Sequence, residues 1–223
     1  MSKLMPWDEP LATKTKSNML KMSGIDPEAD NNTIRILDFG CGNGRYLDAY
    51  AEVIPQNNLY GTEVDSDRIQ QVQAKGYQVK QLNPERAKLP YEDQFFDVVF
   101  SSNVIEHIPN DLYLEYLKEV QRVLVDNGRF VVGTPNYPIK RLYDIMTAFR
   151  RPQFFRYYLF DDPTHINPLS IFRLEADLAP YFKEVHLRPT RIPGQGRLAI
   201  LRDEDFRYRW RILGYKIAGY CIK

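Results

Sequence analysis

Long apolar runs are missing from this sequence. No stretch approaches the roughly 20 apolar residues that cross a bilayer, and the opening MSKLMPWDEP has no apolar core behind its lysine, so it does not read as a secretory signal. Cysteine is nearly absent: Cys41 and Cys221 are too few for a disulfide scaffold and suit a reducing, cytoplasmic setting. Histidine is limited to His107, His165 and His186, which keeps the candidates for proton transfer to a short set. There is no internal repeat and no low-complexity tract. What is there is an ordinary globular composition, 43% hydrophobic and 26% charged over 223 residues. A chain of that length can bury about 70% of its unfolded surface without a metal or disulfide staple.

Net charge is also nearly absent, at +1, until the chain is divided. Residues 1–136 carry 14 Lys and Arg against 20 Asp and Glu, whereas residues 137–223 carry 16 against 9. One reading is that the two parts neutralise each other within one fold. The other is a basic surface that meets an anionic partner.

Strand and helix patterns alternate after a polar leader with a helix around Leu11–Met22. Ile34–Phe39 reads as a strand ending in Gly40, Gly42 and Gly44, and helical spacing then runs to about Val53. Leu59–Val64 is a second strand, followed by capping chemistry at Asp65-Ser66-Asp67 and a helix through Ile69 and Val72. Tyr77–Leu82 and Phe95–Ser101 read as further strands, and Leu112–Leu124 as an amphipathic helix. A turn at Asp126-Asn127-Gly128 leads into a strand at Arg129–Gly133. This order predicts an α/β fold with a parallel sheet and helices on both faces. Residues 137–160 show no clean helical period, Leu169–Leu178 suits a helix, and Lys183–Leu187 and Tyr215–Ile222 suit closing strands.

A strand that delivers Gly40-Cys41-Gly42-Asn43-Gly44 into a helix brings backbone close to a ligand without Cβ atoms in the way. The dinucleotide fingerprint G-x-G-x-x-G fails, because its last glycine would fall on Arg45 or Leu47. A P-loop fails for want of Gly-Lys-Ser/Thr. What remains is D-x-G-x-G-x-G with an acid, Glu63, at the tip of the next strand, where a carboxylate can accept both hydroxyls of a ribose.

Asp38-Phe39-Gly40-Cys41-Gly42-Asn43-Gly44 resembles the S-adenosylmethionine (SAM) motif of the class I methyltransferases, and four further blocks agree in order. They are Leu59-Tyr60-Gly61-Thr62-Glu63-Val64-Asp65, Leu89-Pro90-Tyr91 with Phe96-Asp97-Val98-Val99, Asn103-Val104-Ile105-Glu106-His107-Ile108, and Arg122-Val123-Leu124 with Asn127-Gly128-Arg129-Phe130. Within that family the chain is similar to the small-molecule type, such as the ubiquinone-biosynthesis O-methyltransferases. The resemblance implies a Rossmann-like, doubly wound, mostly parallel seven-stranded sheet with an antiparallel last strand. It divides a single domain into a leader (1–30), a cofactor-binding core (31–136), an acceptor-binding insertion or lid (137–168) and a closing helix and strands (169–223). It also implies SAM as cofactor and S-adenosylhomocysteine as product. Gly40, Cys41, Gly42, Asn43 and Gly44 would pass beneath the methionine part, with Asp38 ordering the loop or meeting the amino group. Glu63 would take the ribose, with Asp65 as its substitute, and Val64 would lie beside it. Glu85 would reach the adenine, with Asn83 as its neighbour, and Ser102 and Asn103 would flank the sulfonium.

A hydroxyl acceptor benefits from a general base. His107, just after the fourth strand, and His165, in Asp162-Pro163-Thr164-His165, are the candidates, while His186 reads as structural. Ubiquinone-type and small-RNA methyltransferases carry a metal-binding Glu-x-x-Glu-His, and the small-RNA enzymes also have a later histidine after Thr-Pro-Asn, which is matched here by Thr134-Pro135-Asn136 before His165. In this chain Asn103 stands in place of the first glutamate. Losing one carboxylate weakens a hard-cation site, so no metal is expected. The run Phe149-Arg150-Arg151-Pro152-Gln153-Phe154-Phe155-Arg156-Tyr157-Tyr158 is expected to bind the acceptor, with Arg150 and Arg151 on phosphate or carboxylate and Tyr157 stacking. The same mixture suits an anionic membrane surface or a lid with solvated arginines. The expected partner is a small-molecule acceptor, anionic or lipid-linked, methylated at oxygen. An RNA acceptor and a catalytically silent SAM-binding partner are the alternatives, and nucleic acid is not expected for want of a separate RNA-binding module.

Overall fold

The computed structural model describes residues 11–150, 155, 159–160, 162–190 and 214–223, with the side chain of Arg150 outside the described set. Strand β1 (Ile36–Phe39) is buried at all four positions, as an inner strand covered on both faces must be. It pairs in parallel with β2 (Leu59–Glu63) on one side and β4 (Phe96–Ser102) on the other. Strand β3 (Gln78–Gln81) extends the sheet beyond β2. On the other side follow β5 (Leu124–Pro135), β7 (Lys216–Ile222) and β6 (Glu184–Thr190). The order is β3-β2-β1-β4-β5-β7-β6, with β7 antiparallel to both of its neighbours. The expected seven-stranded, mostly parallel sheet with an antiparallel last strand is therefore what forms.

The period-2 alternation of strands sorts the core into two layers. Leu37, Phe39, Phe130 and Val132 face α4 (Asn110–Val123) and a helix at Ile171–Leu178, while Ile36, Val98, Phe100 and Val131 face the opposite way. That second layer contains α1 (Thr13–Ser23), α2 (Arg45–Tyr50) and α3 (Ser66–Ala74) through Met19, Leu47, Tyr50, Ile69 and Val72. Asp65 caps α3 by accepting from the backbone N–H groups of Asp67 and Arg68, as its position before the helix predicts.

Two elements differ from the sequence reading. Strand β5 begins at Leu124, before the expected turn. Opposite it, Phe96 faces Leu124 but Val98 faces Arg129, so Asp126-Asn127-Gly128 is an excursion inside the strand, with Asn127 at φ 62. Residues 139–150, where no clean period was legible, form helix α5 (Ile139–Arg150); the Ile171–Leu178 helix is α6. Among the described residues no helix is long and apolar enough to cross a membrane.

Leu117, 1% exposed on α4, sits in the first core layer. Leu117→Ala keeps helix propensity, so its cost is the lost burial plus a cavity, about 2–5 kcal/mol. Urea unfolding is expected to show a lower midpoint with an unchanged slope.

Candidate functional site

The carboxyl end of β1 turns into a loop in which Gly40, Gly42 and Gly44 all have positive φ. A Cβ at Gly40 would lie 2.4 Å from a methyl of Val104, whereas one at Gly42 would meet nothing within 4 Å. The first glycine therefore serves packing, and the second leaves backbone bare toward the cavity above it. The backbone N–H groups of Gly40 and Cys41 both donate to the Thr62 carbonyl of β2. Glu63 holds the next turn of the loop. Its Oε2 accepts from Gly42 N–H at 2.8 Å, and its Oε1 accepts from Val64 N–H at 2.8 Å and Asp65 N–H at 3.2 Å.

Beneath this loop Asp38 is 1% exposed, and its Oδ2 has no hydrogen-bond partner. Burial, with the nearby charge of Glu63 and against the pull of Arg45, pushes its carboxyl up to about 8. Burial likewise pushes the Cys41 thiol above its usual range.

The loop forms one wall of a cavity of about 990 Å³. The end of β4 forms another: the hydroxyls of Ser102 and Tyr46 are 3.1 Å apart, and Asn103, at φ 56, donates to Ser102 Oγ. Lys216, on β7, donates to Asn103 Oδ1 at 2.9 Å. A third wall comes from α5, where Lys140 and Asp144 form a largely buried ion pair at 2.7 Å and Tyr215 donates to Asp144.

The two candidate histidines meet in this cavity. Residues 162–168 are stitched to the short turn Ile105–His107: Asn167 N–H donates to the Glu106 carbonyl, Asn167 Nδ2 to the Ile105 carbonyl, and His107 Nδ1 to the Thr164 carbonyl. His165 thereby comes within 4.7 Å of His107, centroid to centroid, with its Nδ1 2.7 Å from the Tyr137 hydroxyl. A carbonyl only accepts, so His107 carries its proton on Nδ1, and the Nε2 of the neutral ring keeps a lone pair. Glu106 is fully buried, with Oε2 accepting from Thr134 Oγ1 and Oε1 unpartnered. Burial pushes its carboxyl above the usual range, against its backbone hydrogen bond and the one from Thr134.

One ligand atom each from Glu106, His107 and His165 lies within 4.8 Å of the others, a spacing able to hold a metal ion. Asn103 still stands where the first carboxylate of the metal-binding segment would be, so this cluster offers one oxygen and two nitrogen ligands. His186 lies apart on β6, with Nε2 2.8 Å from Glu184.

Of the other expected cofactor residues, Gly40, Cys41, Gly42, Asn43, Ser102 and Asn103 line the cavity, and Gly44 caps α2 behind them. Val64 is 48% exposed just outside it. Glu63 points under the loop, and it is Asp65 and Asp67 that line the cavity beyond β2. Glu85 is exposed in a turn outside the lining. Arg151, Tyr157 and the side chain of Arg150 lie outside the described residues. Lys140, Asp144, Tyr215 and Lys216 were not singled out in the sequence. Only the gathering of basic residues after 136 hinted at the lysines.

Two outcomes follow from the loop. Between about pH 4 and about pH 8 folded Asp38 keeps a proton that the unfolded chain has released, so its contribution to stability falls as pH rises. Asp38→Asn removes that linkage, and the thermal midpoint of the ligand-free variant is expected to fall less than the parent's over this range; parallel curves would refute the protonated state. Glu63→Ala strips the loop of charge-assisted bonds worth about 1.5–3 kcal/mol each, and calorimetry is expected to show SAM affinity reduced at least about tenfold.

Residues 37–132 match the family model described as a methyltransferase domain. A probable S-adenosylmethionine-dependent methyltransferase of Mycolicibacterium smegmatis is 34% identical over 101 residues, 45% of this chain and 38% of that protein. A probable tRNA methyltransferase 9B of Bos taurus is 30% identical over 98 residues, 44% of this chain and 20% of that one. The chain thus spans well under half the length of these curated relatives. A SAM-dependent methyltransferase from Archaeoglobus fulgidus shares the fold at a TM-score of 0.66 and 20% identity, covering 94% of this chain and 92% of that one. The matched residues run from β1 through most of β5 and take in the glycine loop, so what the chain shares with these relatives is a methyltransferase domain.

Proposed function

We propose that the chain transfers the methyl group of SAM to an oxygen of a small-molecule acceptor that is anionic (phosphate-, carboxylate- or sugar-bearing) or lipid-linked. The observation that carries this reading is the pair His107 and His165, 4.7 Å apart in the same cavity as the glycine loop. Bound SAM would supply a methyl group already activated by its sulfonium. The protein's tasks are then to align the acceptor and exclude water. The glycine loop, with its bare backbone at Gly42, would hold the methionine part, and the buried, unpartnered Asp38 Oδ2 fits a cationic ligand above it. Ser102, Tyr46 and Asn103 would border the transfer site. His107, with a lone pair on Nε2, would take the acceptor's proton, and His165, held by Tyr137, would fix the acceptor beside it. Lys216, bonded to the neutral amide of Asn103, would supply positive charge on the acceptor side, in keeping with an anionic group.

A second reading, favoured by the spacing of Glu106, His107 and His165 and by the buried free Oε1 of Glu106, is that these residues hold a divalent cation. A bound cation would supply Lewis-acid polarisation of the acceptor.

The test is a screen of metabolite, lipid and RNA extracts with isotopically labelled SAM. Label is expected in a small molecule or lipid; label in RNA alone would replace that acceptor with the class named for the bovine relative. With the acceptor found, His107→Gln is expected to lower turnover about 10²–10⁴-fold while SAM affinity holds. Unchanged turnover would remove His107 from the chemistry. Full turnover in chelator supports the metal-free base, whereas loss in chelator with recovery on adding a divalent cation supports the second reading.

A further inference from the structure

Helix α5 is amphipathic in the wrong sense for a surface helix. Its residues Lys140, Asp144 and Ala148, one turn apart, are buried at 7%, 5% and 0% exposure, and the first two line the cavity. Its other face presents Leu142, Ile145, Met146 and Phe149, spaced for one helical stripe, at 53%, 37%, 42% and 71% exposure. A globular helix ordinarily buries its apolar stripe and turns charge to water. Here the charges turn in because the cavity is there, and the apolar stripe is left on the outer side of the cavity wall. Phe160, 65% exposed, lines the same cavity, so apolar surface reaches the site itself.

We infer that the outer face of α5 docks onto an anionic lipid surface, so that the cavity is held close to the membrane. Charge decides the occupant. With Lys140 and Asp144 paired in the cavity wall, residues 139–158 still carry Arg141, Arg150, Arg151 and Arg156 and no further acid. An anionic bilayer attracts such a segment while its interface accepts the leucine, methionine and phenylalanine side chains. A second copy of the chain would bring two basic segments together, which like-charge repulsion opposes. RNA would satisfy the arginines but leave the apolar stripe wet. The inference deepens the lipid-linked branch of the proposed function, because an acceptor anchored in the bilayer would enter beside Phe160.

Vesicle flotation tests it on the whole chain, without acceptor or turnover. The protein is expected to float with phosphatidylglycerol–phosphatidylcholine vesicles at low salt, to be released at high salt, and not to float with phosphatidylcholine alone. Leu142→Glu/Phe149→Glu changes two exposed positions outside the cavity lining and is expected to weaken flotation by about tenfold or more. SAM calorimetry and thermal unfolding check that the variant is folded, and Phe149→Ser alone provides a milder second variant. Absence of flotation at low salt, or equal flotation of folded variants, overturns the inference. So does a wild-type dimer in gel filtration that the double variant converts to monomer, which would give the face to a second copy. The two readings fail separately: a water-soluble acceptor in the labelling screen removes the lipid-linked branch, and flotation is scored independently of it.

Discussion

The Glu63 carboxylate is the tie on which the site depends. Its two oxygens gather three backbone N–H groups, one from the glycine loop after β1 and two from the segment after β2. Three successive glycine positions in the left-handed region have no conformational reason of their own to stay in one arrangement. They hold because Gly40 and Cys41 are fastened to Thr62 and Gly42 to Glu63. The same charge helps keep a proton on Asp38 beneath the loop, after burial itself. Loop shape and local electrostatics therefore share one cause, and a cation arriving above the loop would favour release of the proton that Asp38 holds.

The opposite side of the cavity is assembled from far-separated pieces. Three hydrogen bonds dock residues 164–167 onto Ile105–His107, and a lysine 113 positions away reaches Asn103. None of these contacts belongs to the glycine-loop scaffold. The division matches the charge asymmetry of the chain. The acidic part builds the sheet end with the glycine loop, and the basic part supplies α5 and Lys216 to the facing walls.

What could be read in the sequence is what local physics dictates. Gly40, Gly42 and Gly44 announce a loop with positive φ, Asp65 before Ser66 announces a cap, and the apolar runs at Ile34–Phe39 and Phe95–Ser101 announce buried strands. Glu63 was legible as an acid at a strand tip, but not as a clasp whose oxygens are turned under the loop. Helix α5 escaped notice although Leu142, Ile145, Met146 and Phe149 keep helical spacing, because the aromatic and basic residues that run on to 160 break the period over the longer stretch. Glu85 stands in an exposed turn outside the cavity lining, and one-dimensional distance from Leu89-Pro90 cannot tell which way such a turn points. The excursion at Asp126-Asn127-Gly128 was legible as a turn, but not as one that leaves the strand on both sides intact.

Strand β7 follows β6 in the sequence yet lies between β5 and β6, bonded to both. Until it arrives, β6 has no neighbour in the sheet and Asn103 lacks the lysine that holds it. The glycine loop, by contrast, is held by β2 and packs on Val104, just after β4. During synthesis the chain is thus expected to shape one half of its cavity early and to finish the other only when residues 216–222 emerge. The interval leaves the edge of β5 open, and the closing of the cavity is the same event as the covering of that edge.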